Sequence, residues 1–148
     1  MLSDNLHEYY EMVSAFCTWV EKLERITADA AERTIFLIMG AYKKTLYLHS
    51  CEEETEMAFD YNPTTLSFDV LQCDAYWAVH NPFVQEEPVC GSLTDDINDI
   101  YNDIRKGKLI FEAGYVDEAA WWWRWSFDNH WKYHAVDAIR ALNWIEKG

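Results

Sequence analysis

Trp121-Trp122-Trp123-Arg124-Trp125-Ser126-Phe127-Asp128-Asn129-His130-Trp131-Lys132-Tyr133-His134 holds five tryptophans and two histidines, with no Gly or Pro to interrupt a helix. Aromatic rings bring large contact areas with little rotamer freedom to lose, so such a stretch anchors a core or forms a binding surface. Val116, Ala120, Trp123, Phe127, His130, His134, Ala138, Ala141 and Ile145 recur close to the helical period. That spacing predicts one long helix from Asp117 to about Glu146, with Trp123 and Phe127 on its core stripe. Trp121, Trp122 and Trp125 lie around other sides and cannot all face inward, so one or more should meet a neighbouring segment or solvent.

Upstream, Leu6, Tyr9/Tyr10, Val13, Phe16/Cys17, Val20 and Leu23 predict a first helix from a Ser3 or Asp4 cap to about Arg25. Thr27 or Asp29 caps a second, with Ala31, Ile35, Ile38/Met39, Tyr42 and Leu46 on its buried side, ending near His49. Gly40 within it suggests a close crossing. Cys51 to Glu56 reads as an acidic connector. All three prolines (Pro63, Pro82, Pro88) fall in the middle, where a short helix to about Asp74 and then loop are expected, with no strand pair. Ser92 or Thr94 opens another helix with Ile97, Ile100/Tyr101 and Ile104 buried, and Gly114 stops it. The expected class is all-α: a single-domain bundle of four long helices with a short helical or irregular insert at about 60–90.

The 148 residues suffice to bury roughly two thirds of the unfolded surface in one domain. There are 26 acidic and 12 basic residues, a net charge of −14, and the excess runs through both halves. A field of that sign repels nucleic acid and anionic membranes and attracts basic partners, although solubility alone could account for it. Cys17, Cys51, Cys73 and Cys90 show no CxxC or zinc spacing. The polar, acidic start lacks an export signal, so reduced, mostly buried thiols and a cytoplasmic location are expected.

Two constellations could carry chemistry. Asp95, Asp96, Asp99 and Asp103 crowd one helix, and Asp96, Asp99 and Asp103 share a face. An Asp-Asp-x-x-Asp run also occurs in enzymes of magnesium diphosphates, but the chain is short for that fold; a wet acidic face with Arg105 or Arg124 nearby is the plainer reading. His130 and His134 sit one turn apart, so both imidazoles can serve one transition metal with Asp96 or Asp99 from a facing helix, and Asp137 extends the face. The plainer reading is that the histidines are hydrogen-bonded to those aspartates, which needs no metal. Ser126 lacks the strained turn and oxyanion donors of a nucleophile. There is also no phosphate-cradling Gly-rich loop.

Residues 92–105 and 120–142 resemble a bacterial family of unknown function, whose pattern reads S-L-x-D-D-L-x-D-I-Y-x-D-L, then W-x-W-R-x-S-F-x-x-H-W-G-x-H-A-x-x-A-L-R-A-L. The first helix and residues 44–48 match more loosely. Lys132 stands where the pattern has Gly, and Asn143 where it has His. The resemblance implies that Asp95, Asp96, Asp99, Trp123, Arg124, His130 and His134 belong to one pattern, and it brings no activity, cofactor or partner.

The expectation is a non-catalytic interaction protein that binds a basic protein, as immunity proteins and antitoxins do, without a cofactor. Trp121, Trp122, Trp125, Asp95 and Asp103 are its candidate binding surface. Trp123, Arg124, Phe127, His130 and His134 are its structural cluster. The alternative is a metal-dependent helical-bundle hydrolase using His130 and His134 with Asp96 or Asp99.

Overall fold

The computed structural model describes residues 2–49 and 59–145. The expected cap at Ser3 or Asp4 and the acidic connector at 51–56 lie outside the described side chains and residues. Among the described residues no helix is long and apolar enough to cross a membrane.

Helix α1 (Leu2–Lys22) buries Leu6, Tyr9, Val13, Phe16, Cys17 and Val20, the stripe its spacing predicts. It stops earlier than expected because Arg25–Ile26 leaves as a short strand, β1, with Ile26 fully buried. Thr27 then caps α2 (Ala28–Leu46), its hydroxyl accepting from the Ala30 N–H at 3.3 Å. The buried side of α2 is only partly the one expected: Ala31 and Ile38 are buried and Ile35 and Tyr42 pack half-buried against the core, but Thr34, Leu37, Ala41 and Thr45 are buried as well, while Met39 and Leu46 are exposed. The two threonines turn inward because each hydroxyl is satisfied there. Thr45 bonds the Tyr9 hydroxyl at 2.8 Å and donates to the Ala41 carbonyl at 2.7 Å. Thr34 accepts from the Trp19 indole at 2.9 Å and donates to Ala30 at 2.7 Å. Gly40 does lie at a crossing, where an added Cβ would sit 3.0 Å from the Met12 sulfur of α1.

The middle of the chain corrects the expected class. Asp69–Val70 (β2) pairs parallel with β1, and Ala75–Ala78 (β3) pairs antiparallel with Val89–Ser92 (β4). The short helix expected from Asn62 is instead irregular chain tied to α3 (Leu93–Glu112). Asn98 accepts from the Leu66 N–H at 2.7 Å and donates to the Leu66 carbonyl at 2.9 Å. Asn102 does the same for Thr64, at 2.9 Å each way. Two side-chain amides one turn apart thus replace the rungs of a missing strand, so the backbone is satisfied without being helical. The fold is predominantly helical with two small sheets.

Helix α3 begins as expected, with the Ser92 hydroxyl accepting from the Asp95 N–H at 3.2 Å and Leu93, Ile97, Ile100, Tyr101, Ile104 and Ile110 buried. Gly114, at φ 96°, ends the turn in the left-handed region, and the Tyr115 N–H reaches the Ile110 carbonyl at 3.2 Å. The chain is then helical without a break: α4 (Val116–Ser126), a π turn (Phe127–Trp131) and α5 (Lys132–Leu142). Its buried stripe is Ala119, Trp123, Phe127, Trp131, Ala135, Ala138 and Leu142. Four successive steps of four residues would rotate a regular α-helix stripe by about 160°. The wider π turn takes up the excess and keeps Trp123, Phe127 and Trp131 pointing inward.

Trp123 is the centre of the packing. Its ring lies 4.6 Å from that of Tyr9, and its indole donates to the Ile104 carbonyl at 3.0 Å. Gly107 of α3 makes room for it, since a Cβ there would lie 2.2 Å from the indole nitrogen. Of the described cysteines only Cys17 is buried, its thiol pushed up to about 12 by that burial; Cys73 and Cys90 are exposed, against expectation. Both flank or enter the hairpin, where there is no core to cover them.

Candidate functional site: a histidine–aspartate joint and an exposed hairpin

The π turn decides where the histidines go. By delivering Trp131 to the core, it leaves His130 exposed and His134 at the edge of the α3–α5 contact. The expected placement of both imidazoles on the buried stripe is therefore corrected; the pairing of His134 with Asp96 and Asp99 is as expected, whereas His130 turns to Asp103 instead. His134 Nδ1 bonds Asp96 at 2.8 Å, and its Nε2 lies 3.3 Å from Asp99. His130 Nδ1 bonds Asp103 at 2.6 Å. The two rings stand 4.8 Å apart, edge to face.

Electrostatics follow from this geometry. The hydrogen bond to Asp96 holds the His134 imidazole protonated above its ordinary range, helped by the charges of Asp99, Asp96 and Asp137. Burial raises Asp103 against the pull of His130, and burial with the Asp96 charge raises Asp137. Asp96 is nearly buried, and its second oxygen accepts a short hydrogen bond from the Tyr76 hydroxyl. Burial and that carboxylate push the Tyr76 hydroxyl far up. Tyr76 reaches over from β3 because Gly91 of β4, its register partner, has no Cβ; one would sit 2.5 Å from the ring.

The expected arginines do not serve this face. Arg105 donates toward Thr64 at 3.3 Å. Arg124 donates to the carbonyls of Thr45, Leu46 and Leu48 at 3.0–3.1 Å, closing the C-terminal end of α2, and pairs with Asp128 at 2.9 Å. Arg124, Trp123 and Phe127 thus belong to the scaffold. Asp95 is exposed in the first turn of α3, where the helix dipole favours it.

The expected tryptophan surface is mostly consumed. Trp122 donates to the Asp103 carbonyl at 2.8 Å and lies under the Lys106 ammonium. Trp121 and Trp122 both stack on Trp125, which alone of the three is classed as exposed.

A second apolar surface lies where none was expected. Every residue from Val79 to Cys90 is exposed, and Phe83 is 96% so. The loop is nevertheless held: the Asn81 N–H donates to Glu86 at 2.8 Å, and the Asn81 side chain accepts from the Phe83 N–H at 3.0 Å. On β3 Trp77 points outward and, with Trp144, lines a cleft between the hairpin base and the end of α5. Sequence carries a signal for this region that helical periodicity does not: residues 45–104 contain 13 acidic residues and no Lys or Arg.

No curated protein matches the chain. The crystal structure of protein BF1032 from Bacteroides fragilis has a similar fold, with a TM-score of 0.67 at 21% identity over 94% of this chain and 90% of that one. Residues 1–147 match the family described as a domain of unknown function, DUF5063, and the chain belongs to that family.

Proposed function

We propose that the protein is a non-catalytic interaction protein that binds a basic protein through the β3–β4 hairpin. One observation carries this reading: an ordered loop presents Phe83, Val84 and Val89 to solvent within 60 residues that hold no Lys or Arg. Exposed aromatic side chains on a held backbone lose little entropy when covered, and so make efficient anchors. The surrounding carboxylates supply attraction to cations and speed encounter. Action by blocking a partner, as immunity proteins and antitoxins do, fits a small acidic binder.

The hairpin side chains are exposed, so W77S/F83S tests the surface without opening the core. A protein captured by wild type at low salt, once purified, should have a basic surface, bind less tightly as salt rises, and bind W77S/F83S at least about 100-fold more weakly, the sum expected for two anchors. Equal affinity for the two forms, or affinity indifferent to salt, would reject the reading.

A further inference from the structure

Each imidazole of the α3–α5 joint has its Nδ1 engaged by a carboxylate, Asp103 on His130 and Asp96 on His134. This fixes the ring planes and leaves the Nε2 atoms as the remaining ligand positions. Asp99 lies beside the His134 Nε2 at 3.3 Å, and one donor atom from each of Asp99, His130 and His134 lies within 4.8 Å of the others. Metal-bound histidines are commonly oriented this way, the far nitrogen donating to a carboxylate that also raises the basicity of the ligand. We infer that Asp99, His130 and His134 form a binding site for one divalent first-row transition ion, with Asp96 and Asp103 as its orienting carboxylates.

Charge, size and access agree with this. Asp96, Asp99, Asp103 and Asp137 surround two imidazoles, and among the described residues no Lys or Arg forms an ion pair with Asp96, Asp99 or Asp103. An ion with bonds of about 2.0–2.2 Å needs its ligands about 3.4 Å apart in a tetrahedral site. His134 and Asp99 already stand at 3.3 Å. His130 and Asp99 keep side-chain exposures of 44% and 42%, so the Asp99 carboxylate has room to turn and an ion has access from solvent. Two imidazoles and one carboxylate suit zinc, iron or manganese, whereas the all-oxygen preference of magnesium and calcium does not match. Three protein ligands on an open face leave a position for solvent, as in catalytic rather than structural metal sites.

Binding to a basic partner neither requires nor excludes this site, so the two are tested separately. Protein produced without a histidine tag and stripped with chelator is titrated with Zn2+ by calorimetry and with Co2+ by absorption. One ion per chain is expected, with Co2+ giving the visible bands of a nitrogen- and oxygen-ligated site. D99N and H130Q, both at exposed side chains, should abolish stoichiometric uptake while circular dichroism remains that of wild type. D103N keeps all three ligands and should weaken binding about 10–100-fold, the usual cost of losing an orienting carboxylate. Absence of stoichiometric uptake, or equal uptake by wild type and D99N, would show ions held only by the general acidity of the surface and would overturn the site.

Discussion

The helical body and the segment from Phe59 to Ser92 are held together by different forces. In the body, Tyr9, Phe16, Ile100, Trp123, Phe127 and Trp131 are buried almost completely and touch one another across helices. In the segment, few side chains are buried, and order comes from polar ties supplied mainly by α3: Asn98 and Asn102 to the chain at 64–66, Asp74 to Ser92 and Thr94, and Tyr76 to Asp96. Burial free energy grows with area and is shared among many contacts. A hydrogen-bonded tether concentrates its effect in a few atoms. The body should therefore unfold as a unit, and the segment should detach from it locally.

The largest effect that would break this contrast is at Trp123. W123A removes the ring that Gly107 accommodates and should cost about 3–5 kcal/mol, read as a lower urea midpoint for the entire protein. Retention of a near-native midpoint would mean that the core is not centred there. An intermediate effect is expected from N102A, which leaves the Thr64 N–H and carbonyl unpaired. About 1–3 kcal/mol should be lost, chiefly as faster hydrogen exchange at Thr64 and Leu66 with protection of α1 and α2 unchanged. Equal acceleration throughout would merge the two regions into one cooperative unit.

The smallest effect concerns the α3–α5 joint, whose Asp96 also takes the Tyr76 hydroxyl of the segment, in metal-free protein. His134 has its folded pKa raised by Asp96, so the folded state binds its proton more tightly than the unfolded state does. The stabilisation is complete below about 6.5, the unfolded value, and is lost as pH rises through the higher folded value. Urea midpoints should fall modestly across that window in wild type and stay flatter in H134Q. A midpoint that rises with pH would reverse the sign of the coupling.

The body was legible in sequence where burial alone selects residues. Tyr9, Val13, Val20, Ile97, Ile104, Trp123 and Phe127 follow helical spacing and are buried. The encounter of His130 and His134 with the α3 aspartates was also readable, because both sets repeat at three or four residues along facing helices. Apolar pattern failed where a polar group is satisfied inside, as at Thr34 and Thr45, which set the true face of α2. It failed again between Phe59 and Ser92, whose conformation is dictated by asparagines some 30–40 positions downstream. The π turn does have a sequence signal: Trp123, Phe127, Trp131 and Ala135 step by four each time, longer than the period of a regular α-helix.

That extra width has a consequence for how the final rod is wired. One residue corresponds to about 100° of rotation. The stretch after Trp131 is therefore geared differently from the stretch before Ser126, and the two halves of one rod obey separate phase rules. Remove one residue from inside the turn and its backbone can close as regular α-helix with α5 still in phase, so His134 keeps its carboxylates; remove one on either side and the downstream imidazole turns by about 100° away from them. The turn is the one place in the rod that can absorb a one-residue change in length.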